Sequence, residues 1–258
     1  MARWKDAVRR VLYPAYEARV VKFLPPDRIP RHVGVMLDGN RRWARSVGAD
    51  PAQGYRAGAD NIEPLLGWCE EVGVKVVTLW LLSTDNLNRP PEQLTGLMAV
   101  IENAVESLAA THRWRLHPVG ALDLLPASTA ERLKAAADST RDIDGLLVNI
   151  AVGYGGRREI ADAVRALLLE QAAEGRTLEE VAETIDAEDI SGHLYTKGQP
   201  DPDLVIRTSG EQRLGGFLLW QSAHSEFYFC EALWPEFRRV DFLRAIRAYA
   251  ERERRFGA

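Results

Sequence analysis

Short apolar runs alternate along the chain with longer stretches in which apolar residues return every three or four positions. The runs cover 32–37, 74–82, 115–119, 146–152, 204–206 and 227–229. The second, Val74-Lys-Val-Val-Thr-Leu-Trp-Leu-Leu82, barely alternates and is rich in β-branched and bulky residues, as expected of a strand buried on both faces. Helix-period stretches lie between the runs near 56–72, 91–112, 128–138 and 157–174, with one more at 240–254. Strands alternating with helices of this length predict βαβ crossovers and an α/β fold on a mostly parallel sheet. No repeat, charge block or low-complexity stretch divides the sequence, so residues 1–258 read as a single domain.

The first 25 residues form a separate pattern. Arg3, Lys5, Arg9, Arg10, Arg19 and Lys22 outnumber Asp6 and Glu17, while Trp4, Ala7, Val8, Val11, Leu12 and Ala15 recur at helical spacing. This is a basic amphipathic helix without the unbroken apolar core of a signal peptide. Two readings stand: a helix docked on the body of the protein, or a weak peripheral contact with a membrane surface.

Composition narrows the function classes. Lys+Arg 33 against Asp+Glu 37 gives −4, which leaves no electrostatic footprint for nucleic acid. With 46% hydrophobic and 27% charged residues the chain is that of an ordinary globular protein, not a disordered or coiled-coil one. Cys69 and Cys230 are the two cysteines and no metal-ligand spacing accompanies them, so neither a disulfide framework nor a structural zinc site is expected. No apolar run approaches the roughly 18 residues of a membrane span.

Ligands of an open parallel sheet sit outside the carboxyl ends of its strands, and polar clusters follow several of the runs. In Leu37-Asp38-Gly39-Asn40-Arg41-Arg42-Trp43-Ala44-Arg45, Asp38 closes a strand, Gly39 permits a sharp turn and Asn40 suits a helix cap. The N–H groups and arginines that follow make a phosphate seat, and an acid beside such a seat makes sense with magnesium between them. A plain capped helix with a solvated basic turn fits the same pattern. Ser83-Thr84-Asp85-Asn86-Leu87-Asn88-Arg89 crowds hydroxyls, amides, an acid and an arginine into one loop, though such loops often serve only as caps and turns. Arg207-Thr208-Ser209-Gly210-Glu211-Gln212-Arg213 offers two arginines and two hydroxyls, a second cradle suited to phosphate oxygens. Gly153-Tyr-Gly155-Gly156 matches neither a dinucleotide fingerprint nor a Walker loop, and close backbone packing is its expected role. Two phosphate seats, one acid and no nucleotide motif favour phosphorylated substrates that are not nucleotides.

From His32 to Gly257 the chain resembles the cis-prenyltransferases of the undecaprenyl diphosphate synthase family. The resemblance is carried by His32-Val-Gly-Val-Met-Leu-Asp-Gly-Asn-Arg-Arg-Trp-Ala, Leu82-Ser-Thr-Asp-Asn-Leu-Asn-Arg-Pro, Asn149-Ile-Ala-Val-Gly-Tyr-Gly-Gly-Arg, Asp203-Leu-Val-Ile-Arg-Thr-Ser-Gly-Glu-Gln-Arg, Phe217-Leu-Leu-Trp-Gln, Leu233-Trp-Pro-Glu-Phe and Arg254-Arg-Phe-Gly. It implies a cytoplasmic homodimer with a six-stranded sheet and a hydrophobic tunnel. It also implies the magnesium-dependent condensation of isopentenyl diphosphate with an allylic diphosphate. By position, Asp38 is the essential acid at the metal and Glu226 the second carboxylate. Gly39, Asn40, Arg41, Arg42, Trp43 and Arg89 go with the allylic diphosphate, and Arg207 and Arg213 with isopentenyl diphosphate. Ser83 and Asn86 lie near the reacting centre, Asn86 as a candidate for assisting proton loss. Tyr55, Thr84, Asp85, Leu214 and Gly215 complete the expected substrate-binding set, and Arg255 and Gly257 fit a tail that crosses the dimer.

Four positions depart from the common bacterial pattern: Pro51 stands for a phosphate-binding Arg, Tyr55 for His, Leu87 for an aromatic residue and Gly215 for Ser. Leu81 falls where long-chain members carry alanine and short-chain members leucine. A branched side chain there makes a tunnel floor, since a packed interior admits no extra methylenes without strain. The expected product is therefore short, Z,E-farnesyl diphosphate from geranyl diphosphate. Alternatives are a long-chain polyprenyl diphosphate synthase, a non-catalytic partner subunit or an unrelated phosphate-binding α/β protein. The aspartate-rich clusters of trans-prenyltransferases are missing, Asp201-Pro-Asp203 being the nearest approach.

Overall fold

The computed structural model describes residues 2–252, with side chains from Tyr13 onward. The apolar stripe of the first helix up to Leu12 and the expected dimer-crossing Arg255 and Gly257 lie outside those described residues and side chains. All six apolar runs become strands: β1 (His32–Met36), β2 (Val76–Ser83), β3 (Arg115–Val119), β4 (Leu147–Tyr154), β5 (Leu204–Arg207) and β6 (Glu226–Phe229). They form one sheet in the order β3-β4-β2-β1-β5-β6, with every neighbouring pair parallel. The chain builds outward from β1 through β2 to β3 and β4, then crosses back to lay β5 and β6 on the other side. The order therefore reverses at β1, and the crevice of such a switch point opens at the carboxyl ends of β1, β2 and β5.

Among the described residues ten helices surround this sheet: α1 (Ala2–Phe23), α2 (Asn40–Ser46), α3 (Pro51–Asp60), α4 (Ile62–Val72), α5 (Pro91–Ala110), α6 (Ala127–Ser139), α7 (Gly156–Ala173), α8 (Leu178–Thr184), α9 (Ala187–Ser191) and α10 (Arg239–Glu251). One face of the sheet packs Val33, Val35, Leu79, Leu82 and Ile150 against α4, α5, α6 and α10. The other packs Met36, Ala151, Tyr154 and Val205 against Phe217 and Leu218. Burial on both faces is why the strands read as continuous apolar runs. The last turns of α1 dock on α10, through Glu17 to Arg239 at 3.1 Å and Tyr16 accepting from Arg247 at 2.9 Å.

The helix expected over 56–72 is two helices that break at Asn61. The Trp234 indole N–H donates to the Gly58 carbonyl at 2.7 Å, and the Asn61 amide donates to the carbonyls of Trp234 and Phe237 at 3.0 and 2.8 Å. The segment 234–237 thus takes the Gly58 carbonyl, which a continuous helix would use internally, and is held by the Asn61 side chain. The glycine turn after β4 serves close packing as expected. Gly156 N–H donates to the Gly216 carbonyl at 2.9 Å, and a Cβ on Gly156 would meet that oxygen at 2.5 Å.

Near their carboxyl ends β2 and β4 each carry one extra residue. Trp80 pairs with Ala151 and Leu82 with Val152, leaving Leu81 unopposed; Ser83 then pairs with Tyr154, leaving Gly153 (φ +61°) unopposed. The bulge at Leu81 turns both Leu81 and Leu82 to the same side of the sheet, where strict alternation would separate them.

Candidate functional site

The crevice holds a cleft of about 370 Å³. Its wall takes Asp38, Gly39, Asn40, Arg41 and Arg42 from the end of β1 and the start of α2, and Tyr55 from α3. From β2 and the loop after it come Leu81, Ser83, Asp85, Asn86 and Arg89, and from the loop after β5 come Arg207, Arg213 and Gly215. Fourteen residues expected from sequence are thereby brought together. Trp80 and Arg45 line the cleft as well. Trp80 escaped attention because it reads as one more apolar residue of a buried strand; Arg45 was visible as charge beside the first seat.

Asp38 anchors the floor of the seat. Its N–H donates to the Thr208 hydroxyl at 3.0 Å, and its carbonyl accepts from Trp234 N–H at 3.0 Å. The carboxylate accepts from the buried Arg207 at 3.0 Å and lies 3.6 Å from Arg42. Burial pushes the Asp38 carboxyl up, but Arg207, Ser209 and Arg42 together outweigh burial and hold it below its ordinary value. It is therefore ionised at neutral pH. Six arginines face this cleft against the two acids Asp38 and Asp85, which makes it a seat for strongly anionic groups.

The second wall is built around Arg89. It donates to the Asn86 side-chain oxygen at 2.5 Å and to the Tyr55 hydroxyl at 3.2 Å, while Asn86 N–H donates to Ser83 Oγ at 3.2 Å. Tyr55, the departure from the usual histidine, thus steadies a cleft arginine. Pro51 opens α3 as an exposed first helical residue, a position that suits its fixed φ. Gly215 adopts φ +59° with the Trp80 ring 3.3 Å from where a Cβ would stand, so glycine suits this turn better than serine.

The structure places several of the expected residues away from the cleft wall, and it moves one cap. Asn40 is not the cap of α2: Gly39, at φ +111°, occupies that position, and Asn40 donates back to the Leu37 carbonyl at 3.2 Å. Trp43 and Leu214 do not line the cleft. Thr84 turns away as well, its hydroxyl lying against Gly155. Glu226 opens β6 opposite Leu204, at the far end of the sheet from Asp38, where it pairs with Arg252. Within one chain Asp38 and Glu226 thus lie at opposite ends of the sheet, and no group of three or more His, Cys, Asp or Glu that could hold a metal ion exists among the described residues.

Beneath the cleft lies an apolar pocket of about 30 Å³, lined by Ile62, Val100, Ile101, Ala104 and Trp234. It shares Leu37, Asn40, Tyr55, Leu81 and Leu97 with the cleft above. A charged seat opening on a hydrocarbon-lined pocket is the arrangement of an enzyme that handles amphiphilic phosphoesters. Among the described residues no helix is long and apolar enough to cross a membrane.

Comparison with known proteins specifies the class. Residues 36–257 match the family model described as putative undecaprenyl diphosphate synthase, and the chain belongs to this prenyltransferase family. It is 66% identical over 251 residues to a (2Z,6E)-farnesyl diphosphate synthase of Thermobifida fusca, covering 97% of this chain and 98% of that one. It is 53% identical to a short-chain Z-isoprenyl diphosphate synthase of Mycobacterium bovis, covering 97% of each. Lavandulyl diphosphate synthase from Lavandula x intermedia, solved with dimethylallyl diphosphate, superposes with a TM-score of 0.84 at 31% identity, over 90% of this chain and all of that one.

Proposed function

We propose that this protein joins isopentenyl diphosphate to geranyl diphosphate with a new cis double bond, yielding Z,E-farnesyl diphosphate. The observation that carries this reading is the junction at Leu81, where an arginine-rich cleft meets a pocket of only about 30 Å³. The relatives from Thermobifida fusca and Mycobacterium bovis, both named for Z products and one for a fifteen-carbon product, support the same conclusion.

In this mechanism Arg41, Arg42 and Arg89 hold the allylic diphosphate, and Arg207 and Arg213 hold isopentenyl diphosphate. As the allylic C–O bond breaks, negative charge gathers on the leaving diphosphate, and arginines already fixed in place stabilise it without reorganising. The terminal carbon of the isopentenyl double bond bonds to the allylic carbon as diphosphate leaves, and the isopentenyl unit then gives a proton to the released diphosphate, restoring a neutral double bond. Asn86 accepts from Arg89 through its amide oxygen, which aims that guanidinium into the cleft and keeps Asn86 beside the reacting centre as the candidate for assisting proton loss. Asp38 suits magnesium: an ionised carboxylate beside phosphate seats matches an ion that binds through one or two carboxylates, phosphate oxygens and water. When bound, magnesium neutralises diphosphate charge. The working form is a cytoplasmic homodimer, with α1 docked on the body or resting weakly at a membrane surface.

The test is chain-length analysis of products from labelled isopentenyl diphosphate with geranyl or farnesyl diphosphate as primer. A predominant fifteen-carbon product from geranyl diphosphate is expected. Fifty- or fifty-five-carbon chains would overturn the short-product reading.

A further inference from the structure

Across the mouth of the cleft, charged side chains alternate in sign: Arg207, Asp38, Arg42, Glu211, Arg213. The first links are Arg207 to Asp38 at 3.0 Å and Asp38 to Arg42 at 3.6 Å. The row continues from Arg42 to Glu211 at 3.5 Å and from Glu211 to Arg213 at 2.6 Å. Glu211 is thus a single carboxylate shared, one oxygen each, by arginines placed on the two sides of the site. The loop is shaped for this contact. Ser209 (φ +80°) and Gly210 (φ +73°) take successive left-handed conformations, a strained choice for serine. The bend brings the Ser209 hydroxyl and carbonyl to Arg42 at 2.5 and 3.2 Å. Arg42 is thereby locked in place, with its remaining face toward Glu211.

We propose that Glu211 is a resident substitute for a substrate phosphate. It keeps Arg42 and Arg213 facing each other while the site is empty and must give them up when a diphosphate arrives. This rests on the diphosphate reading given above and assigns to that site a built-in competitor. The diphosphate that binds Arg42 and the one that binds Arg213 each take one arginine from the carboxylate, one oxygen each. A singly charged group competes less well for either arginine, so Glu211 sets selectivity as well as affinity.

The competition has a measurable size. Exposed ion pairs shift an equilibrium by about two- to fivefold each, so freeing two arginines should tighten anion binding by roughly four- to 25-fold. The experiment is calorimetric titration of inorganic pyrophosphate into the full-length protein, without magnesium and at fixed ionic strength, for wild type, Glu211→Gln, Arg213→Ala and the double variant. Glu211→Gln should bind pyrophosphate tighter by that factor, and the gain should fall to the single-pair value of about two- to fivefold when Arg213 is already alanine. Pyrophosphate binding by Glu211→Gln that is unchanged or weaker than wild type overturns the proposal, because a metal-holding or purely positioning carboxylate would give that result. Wild-type protein that takes up no pyrophosphate overturns the underlying diphosphate reading instead, so the two failures are distinguishable.

Discussion

At Asp38 a carboxylate stays charged because Arg207, Ser209 and Arg42 together outweigh the cost of its partial burial. Asparagine there keeps the size and can still accept from Arg207, but loses the charge that a cation or a cationic cleft needs. Asp38→Asn should lower kcat by about 100-fold or more, while the thermal midpoint moves by no more than a few degrees; steady-state kinetics and a melting curve check both. At Leu81, truncation to alanine removes the branched group between cleft and pocket. Leu81→Ala should shift products toward chains longer by one or more isoprene units, read by chromatography of the dephosphorylated alcohols. Both residues were legible in the sequence because each lies at a strand end in a recognisable motif. Trp80 and Glu226 were not. Parity along a strand says nothing about which aromatic lines a crevice, and a motif position does not reveal that β6 starts at the opposite end of the sheet.

Among elements, the strands were the most legible, since burial on both faces writes itself as unbroken apolar runs. The break between α3 and α4 was hidden because its cause is remote: the Asn61 amide binds carbonyls 173 and 176 residues away. Asn61→Ala should cost about 1–3 kcal/mol in a urea denaturation series, since it removes the donor shared by those two carbonyls. The helices α8 and α9 were also missed, although both begin with capping boxes, Thr177 with Glu180 and Asp186 with Asp189. Their apolar content is low and α9 is only five residues long, so periodicity gave no signal there.

For the molecule as a whole, stability toward acid is set in part at the amino ends of the strands. His32 is buried between the Pro200 carbonyl at 2.7 Å and the Thr78 hydroxyl at 2.8 Å, and burial pushes its imidazole down to about 4. The folded state therefore refuses a proton that the unfolded chain accepts from about pH 6.5 downward. His32 contributes its full stabilisation above that pH and loses it as pH falls toward 4, a loss of up to about 3 kcal/mol. Denaturant midpoints between pH 7 and pH 4 should show the decline, and His32→Gln should flatten it. The catalytic end of the sheet is subject to a different constraint. The surplus residue in β2 is cancelled by the surplus residue in β4, so the ladder regains its original offset at Ser83 and Tyr154. Position 81 consequently has no register partner in β4. Its side chain can be exchanged, and under the proposed floor role the size of the molecule released with it, while the scaffold around it keeps its alignment.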